Sequence, residues 1–71
     1  KIKIAVQING KTRSIIEVNK ADEKELVIKL AKDNSKINKY IVGNHIKKEI
    51  YVPGKIVNIV IWLKDLLLFF L

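Results

Sequence analysis

Five cations are placed where this 71-residue sequence could bind something. Lys11 and Arg13 follow an Asn-Gly pair, Lys47 and Lys48 are neighbours, and Lys55 follows a Pro-Gly pair. Turns and strand faces hold such groups out to solvent. An arginine there can grip a phosphate through two parallel N–H bonds, whereas a lysine acts as a point charge. The formal net charge is +7, from 14 Lys+Arg against 7 Asp+Glu. That balance attracts polyanions, either nucleic acid or an anionic membrane surface. The plainer alternative is a solvated basic surface in a chain whose composition favours Lys, Ile and Asn. Compositional bias accounts for the number of lysines but not for their clustering.

Catalysis by this chain alone is not expected. His45 is the one histidine and there is no cysteine, so no metal-ligand spacing and no thiolate chemistry is available. His45 reads as an exposed strand residue beside Lys47. Asp22, Glu23 and Glu25 cluster where a helix start explains them. Gly10, Gly43 and Gly54 each fall at an expected turn or helix end, so no glycine-rich loop cradles a phosphate.

The elements that must carry the cations follow from periodicity. Residues 1–9 alternate, with Ile2, Ile4, Val6 and Ile8 on one face of a half-buried strand. Residues 12–18 form its partner, with Ser14, Ile16 and Val18 on one face and Arg13, Ile15 and Glu17 on the other. Asn9-Gly10 suits a two-residue type I′ hairpin, but that register pairs Ile2 with Glu17 and mixes the faces. A three-residue loop, with Gly10 left-handed in a bulge, pairs Ile2 with Ile16 and Val6 with Thr12 and is the expected turn. It puts Lys11 and Arg13 near the tip on the polar face.

Asp22 then opens a helix, with Glu25 three residues later as the second half of a capping box. Leu26, Val27, Leu30 and Ala31 form its apolar stripe and Ile28 lies off it. Asp33, Asn34 and Ser35 interrupt it, and a second short helix is expected over residues 35–42, ended by Gly43. Residues 45–52 read as a third strand, with Ile46, Ile50 and Val52 facing one way and His45, Lys47, Glu49 and Tyr51 the other. Lys48 falls on the apolar side, near an edge. Tyr51 is a better packing residue than a base-stacking one. Pro53-Gly54 is a type II turn, and residues 55–62 are a fourth strand apolar enough to be covered on both faces. The expected fold is α+β in the order β-β-α-α-β-β, one sheet with two short helices on one face. A chain this small buries only about 60% of its unfolded surface, so its core is marginal.

IAVQINGKTR (residues 4–13) and YVPGKIVNIV (residues 51–60) stand in that framework with an acidic helix start, a short second helix and a basic strand between them. In this order and spacing, residues 4–61 resemble the extreme C-terminal domain of bacterial-type leucyl-tRNA synthetases, the class I leucine–tRNA ligases. The resemblance implies a small domain on a flexible linker that contacts the tRNA elbow, where the D and TΨC loops meet. Such a domain supports aminoacylation of tRNA(Leu) without performing it. Lys11 matches the lysine of the NGK motif and Lys55 that of the PGK motif, while Arg13, Lys47 and Lys48 match basic positions nearby. The implied partners are tRNA, tRNA(Leu) in particular, and the rest of the synthetase, in the cytoplasm. ATP and Mg belong to the catalytic body, so neither a cofactor nor a metal is expected in this chain. Asn19 and Lys20 stand where the family has a Val-Pro-Ala helix entry.

Residues 63–71 depart from that pattern and end in LLLFFL. Six apolar residues are too few to span a bilayer, which takes about 20. Three readings compete for them: a segment packed on the helices, a self-association patch, or the non-native end of a truncated gene. Together with the basic charge, the tail supports a second class of function, a membrane-surface or self-associating module, and a third reading is a gene fragment with no function. Membrane contact is nevertheless not the expectation. Lys1 stands inside a strand pattern, as in a piece of a longer chain or a processed product, with no apolar signal-peptide region.

Overall fold

Two apolar strands, β1 (Ile2–Ile8) and β4 (Ile56–Trp62), lie side by side in the middle of one four-stranded sheet. The structure is a computed structural model, and it describes residues 1–62. The segment 63–71, and the three readings of it above, lie outside the described residues. Between β1 and β4 in the chain come β2 (Lys11–Val18), α1 (Lys24–Asp33), α2 (Ser35–Ile41) and β3 (His45–Val52). This is the expected element order. The sheet order is β2-β1-β4-β3, antiparallel except for the parallel β1–β4 pair. A parallel pair cannot be joined by a hairpin, and here the two helices belong to the crossover.

The helices cover one face. Ile4, Val6, Ile8, Ile16, Val18, Val57, Ile59 and Ile61 of the sheet pack there against Val27, Ile28, Ala31 and Ile37. β-branched side chains suit such a pleated, covered surface. No described element covers the other face, which corrects the two-sided burial expected for β4. There, Ile15, Ala5, Ile56 and Val52 pair in a row across all four strands, with Ile15 61% and Val52 37% exposed.

The first turn differs from expectation. Asn9 (φ 50°) and Gly10 (φ 84°) form a two-residue turn, with Ile8 paired to Lys11. Two successive positive φ values are what a type I′ turn needs. The parity that a three-residue loop was meant to restore is restored further along, by a bulge at Arg13. Val6 therefore pairs with Ser14 and Ile2 with Val18. A second bulge, at Lys47, lies between Ile46 and Lys48 in β3. It sends Ile46, Glu49 and Tyr51 to the helix side and leaves Lys48, Ile50 and Val52 on the bare face, correcting the expected faces of that strand. Pro53-Gly54 turns as expected: Gly54 has φ 74°, and Lys55 N–H donates to the Val52 carbonyl at 3.0 Å.

α1 starts one residue later than expected. Its N-cap position is Glu23, which makes no side-chain cap. The Asp22 carboxylate instead accepts from Asn19 N–H at 2.9 Å and closes the preceding turn. The apolar stripe is rotated as well, because Val27, Ile28 and Ala31 are buried while Leu26 and Leu30 are partly exposed. Asn34 links the helices and caps α2, its Oδ1 accepting from Lys36 N–H at 3.0 Å.

Candidate nucleic-acid interface

Both Asn-bearing motifs meet at one end of the central strand pair. Asn9 N–H donates to the Ile59 carbonyl at 3.0 Å, and the Asn9 Oδ1 accepts from Ile61 N–H at 2.9 Å. In return the Asn58 Oδ1 accepts from Gly10 N–H at 3.0 Å. Asn58, the single polar residue interrupting the apolar run 56–62, therefore fastens the Asn-Gly turn to β4. Because β1 and β4 are parallel, the end of β1, the end of β4 and the start of β3 lie together. We call this the Asn-Gly end.

Lys11 and Arg13 are there, on the β2 edge. Arg13 does not sit on the bare polar face expected for it. As the bulge residue it turns toward the helix layer, and its guanidinium carbon lies 5.3 Å from the centroid of the Tyr40 ring. The Lys39 ammonium lies at the same 5.3 Å from that ring. A shallow concavity lined by Ile8, Asn9, Lys11, Arg13, Tyr40 and Ile61 runs between them. Asn44 steadies the end of α2, donating from Nδ2 to the Tyr40 carbonyl at 2.8 Å. Two cations thus flank one half-buried tyrosine, and Lys11 lines the same concavity. Lys39 was not among the candidates. Its cue was the Lys39-Tyr40 pair in the second helix, but only the bulge at Arg13 brings that pair to the hairpin.

Lys47 and Lys48 lie on the opposite edge of the same end. Lys48 pairs with Val60, one residue past Ile59, and the Lys47 ammonium lies 4.7 Å from the Trp62 ring centroid on the bare face. Lys55 is elsewhere. Its carbonyl accepts from Ala5 N–H at 3.1 Å, and it follows the Pro-Gly turn at the other end of the sheet. The structure therefore brings four of the five candidate cations to one end and leaves Lys55 apart. His45 pairs with Trp62 and is exposed. Among the described residues no group of His and acidic side chains is set to hold a metal.

Four of the six acids among the described residues are distributed the other way. Glu17 pairs with Lys3 near the start of β1, and Asp22, Glu23 and Glu25 surround the turn that follows β2, far from the Asn-Gly end. The other two, Asp33 and Glu49, line a hollow with Lys29 and Lys32, and Glu49 is ion-paired with Lys32. The molecule is basic at the Asn-Gly end and mixed at the Pro-Gly end. An unbalanced cluster of exposed cations concentrates polyanions there, and the attraction weakens with salt. No described helix is long and apolar enough to cross a membrane.

No protein-family profile matches the chain. Relatives do. It is 53% identical over 58 residues to the leucine–tRNA ligase of Mycoplasma capricolum subsp. capricolum, covering 82% of this chain and 7% of that protein. It is 48% identical over 60 residues to the leucine–tRNA ligase of Hydrogenovibrio crunogenus, covering 84% of this chain and 7% of that one. Among solved structures it superposes on a chain of the LeuRS–tRNA–LeuAMS ternary complex of Agrobacterium radiobacter K84. The TM-score there is 0.84 at 25% identity, over 89% of this chain and 8% of the other. By sequence and by fold, the chain is similar to one part of the leucine–tRNA ligases, a part that makes up less than a tenth of those enzymes.

Proposed function

We propose that this chain is a tRNA-binding module of a leucine–tRNA ligase that presses its Asn-Gly end against the sugar–phosphate surface of the tRNA elbow. In that role it supports aminoacylation of tRNA(Leu) by a catalytic body elsewhere and performs no chemistry itself. The observation that carries the reading is the charge arrangement. Lys11, Arg13, Lys39, Lys47 and Lys48 share one end, while Glu17, Asp22, Glu23 and Glu25 lie toward the other. An elbow is recognised by shape, backbone and 2′-OH contacts, which exposed cations on short turns and bulges can make. Lys55, at the Pro-Gly end, is outside this contact.

Phosphate neutralisation makes binding steeply salt-dependent. About four contacts give a log–log slope near −3, at roughly 0.7–0.9 per contact. Titrating tRNA at increasing salt measures that slope directly. The double variant Lys11→Ala/Arg13→Ala lowers the slope by about 1.5 and weakens leucine and non-leucine tRNAs alike. A flat salt response, or a loss confined to tRNA(Leu), contradicts the mechanism. The apolar row Ile15–Ala5–Ile56–Val52 favours one alternative, self-association through the bare face. A concentration-dependent oligomer that excludes tRNA would establish it.

A further inference from the structure

The bare face carries a second cluster, built around Trp62, that shares only Lys47 with the cations named above. Trp62 ends β4 with 40% of its surface exposed. The Lys47 ammonium lies 4.7 Å from its ring centroid. Val60 and Asn58 precede it at two-residue steps on the same face, since alternate residues of a strand share a side. A concavity of about 470 Å³ runs along them, lined by Asn9, Gly10, Lys47, Asn58, Val60 and Trp62 among others. It is an open depression on the sheet surface rather than an enclosed cavity.

The polar rim of this concavity is already oriented. The Asn58 Oδ1 is engaged by Gly10 N–H and the Asn9 Oδ1 by Ile61 N–H. With both oxygens held, each amide keeps its NH₂ group as a donor for a ligand. An exposed indole, an apolar floor, two fixed amide donors and an adjacent ammonium match one ligand class. A nucleobase has a π face for the indole, and ring nitrogens or carbonyl oxygens that accept from amides. Its flanking phosphate attracts an ammonium.

We infer that this concavity takes an unpaired nucleobase of RNA, stacked on Trp62, its acceptor edge on the Asn9 and Asn58 amides and its phosphate on Lys47. The inference rests on the RNA-binding reading above for the choice of RNA, and it adds a site on a different face. Stacking tolerates any base, whereas donors alone on the rim favour bases that present acceptors.

The sequence holds one tryptophan, so tryptophan emission reports on Trp62 alone. The test titrates the chain with a short oligoadenylate and with an abasic oligomer of equal length and charge. The expected result is saturable quenching by the oligoadenylate and little by the abasic oligomer. Trp62→Ala is expected to weaken oligoadenylate binding about tenfold, followed by anisotropy of a labelled oligomer, and to leave abasic binding unchanged. Equal quenching by the two oligomers overturns the inference, as does a Trp62→Ala variant that binds oligoadenylate as tightly as the parent. Lys11→Ala/Arg13→Ala separates the two readings. If that variant weakens both oligomers alike while oligoadenylate still quenches at saturation, the base site stands whatever the fate of the phosphate surface.

Discussion

Arg13 and Lys47 occupy matching places on opposite edges of the sheet and face opposite sides of it. Each is the extra residue in an edge strand, β2 in one case and β3 in the other. Each cation rests near an aromatic ring, Arg13 on Tyr40 of the helix layer and Lys47 on Trp62 of the bare face. A bulge breaks the ladder, increases local twist and re-aims one side chain. A charged bulge on an exposed edge also blocks pairing with another chain. The same device therefore serves both edges, but its surroundings differ. On the helix side, Lys39 joins Arg13 in flanking a half-buried ring, and Lys11 lines the same concavity. On the bare side, Lys47 stands beside an exposed ring and two oriented amides. The first arrangement suits phosphates and the second a base.

The strongest way to break this comparison is to remove what both edges lean on. Ile59 is fully buried in β4, and it pairs with Ile8 on one side and Glu49 on the other. Ile59→Ala is expected to cost about 2–5 kcal/mol in denaturant unfolding. In so small a domain that abolishes most of the folded population and both clusters with it. A cost below about 1 kcal/mol would mean that the sheet centre does not support the edges. A much smaller effect sharpens the comparison. Arg13→Ala and Lys47→Ala are each expected to lower stability by at most about 1 kcal/mol, the scale of an exposed cation–π contact. Of the two, Lys47→Ala alone should alter tryptophan emission, because Trp62 is its partner. A change of equal size in Arg13→Ala would show that the two clusters are coupled.

The fold class, the element order and the Pro-Gly turn were legible in the sequence, because alternation, helical spacing and turn residues agree locally. The bulges were not. Parity counting requires a compensating residue somewhere in the β1–β2 hairpin. Nothing in the chain says whether it sits at Gly10 or at Arg13, since either choice restores the apolar face. In β3 the same ambiguity reversed the assignment of Tyr51 and Ile50. Asp22 looked like a cap because Asp-x-x-Glu is a capping pattern, yet its carboxylate found the nearer Asn19 N–H. Lys11 and Arg13 were recognisable as a cluster because they are close in sequence. Lys39 was not, because a long-range contact brings it there. Lys55 looked equivalent to Lys11 because both follow a turn glycine, and only the parallel pairing of β1 with β4 separates them.

That separation gives the most direct test of the tRNA-binding reading. The affinity of the chain for tRNA should be measured for Arg13→Glu and Lys55→Glu side by side at about 0.15 M ionic strength, where the Debye length is about 8 Å and charges at the far end of the sheet are screened. Loss of a charged contact predicts about a tenfold fall or more for Arg13→Glu, while Lys55→Glu should stay within about twofold of the parent. An equal or larger fall for Lys55→Glu would contradict the placement of the RNA at the Asn-Gly end.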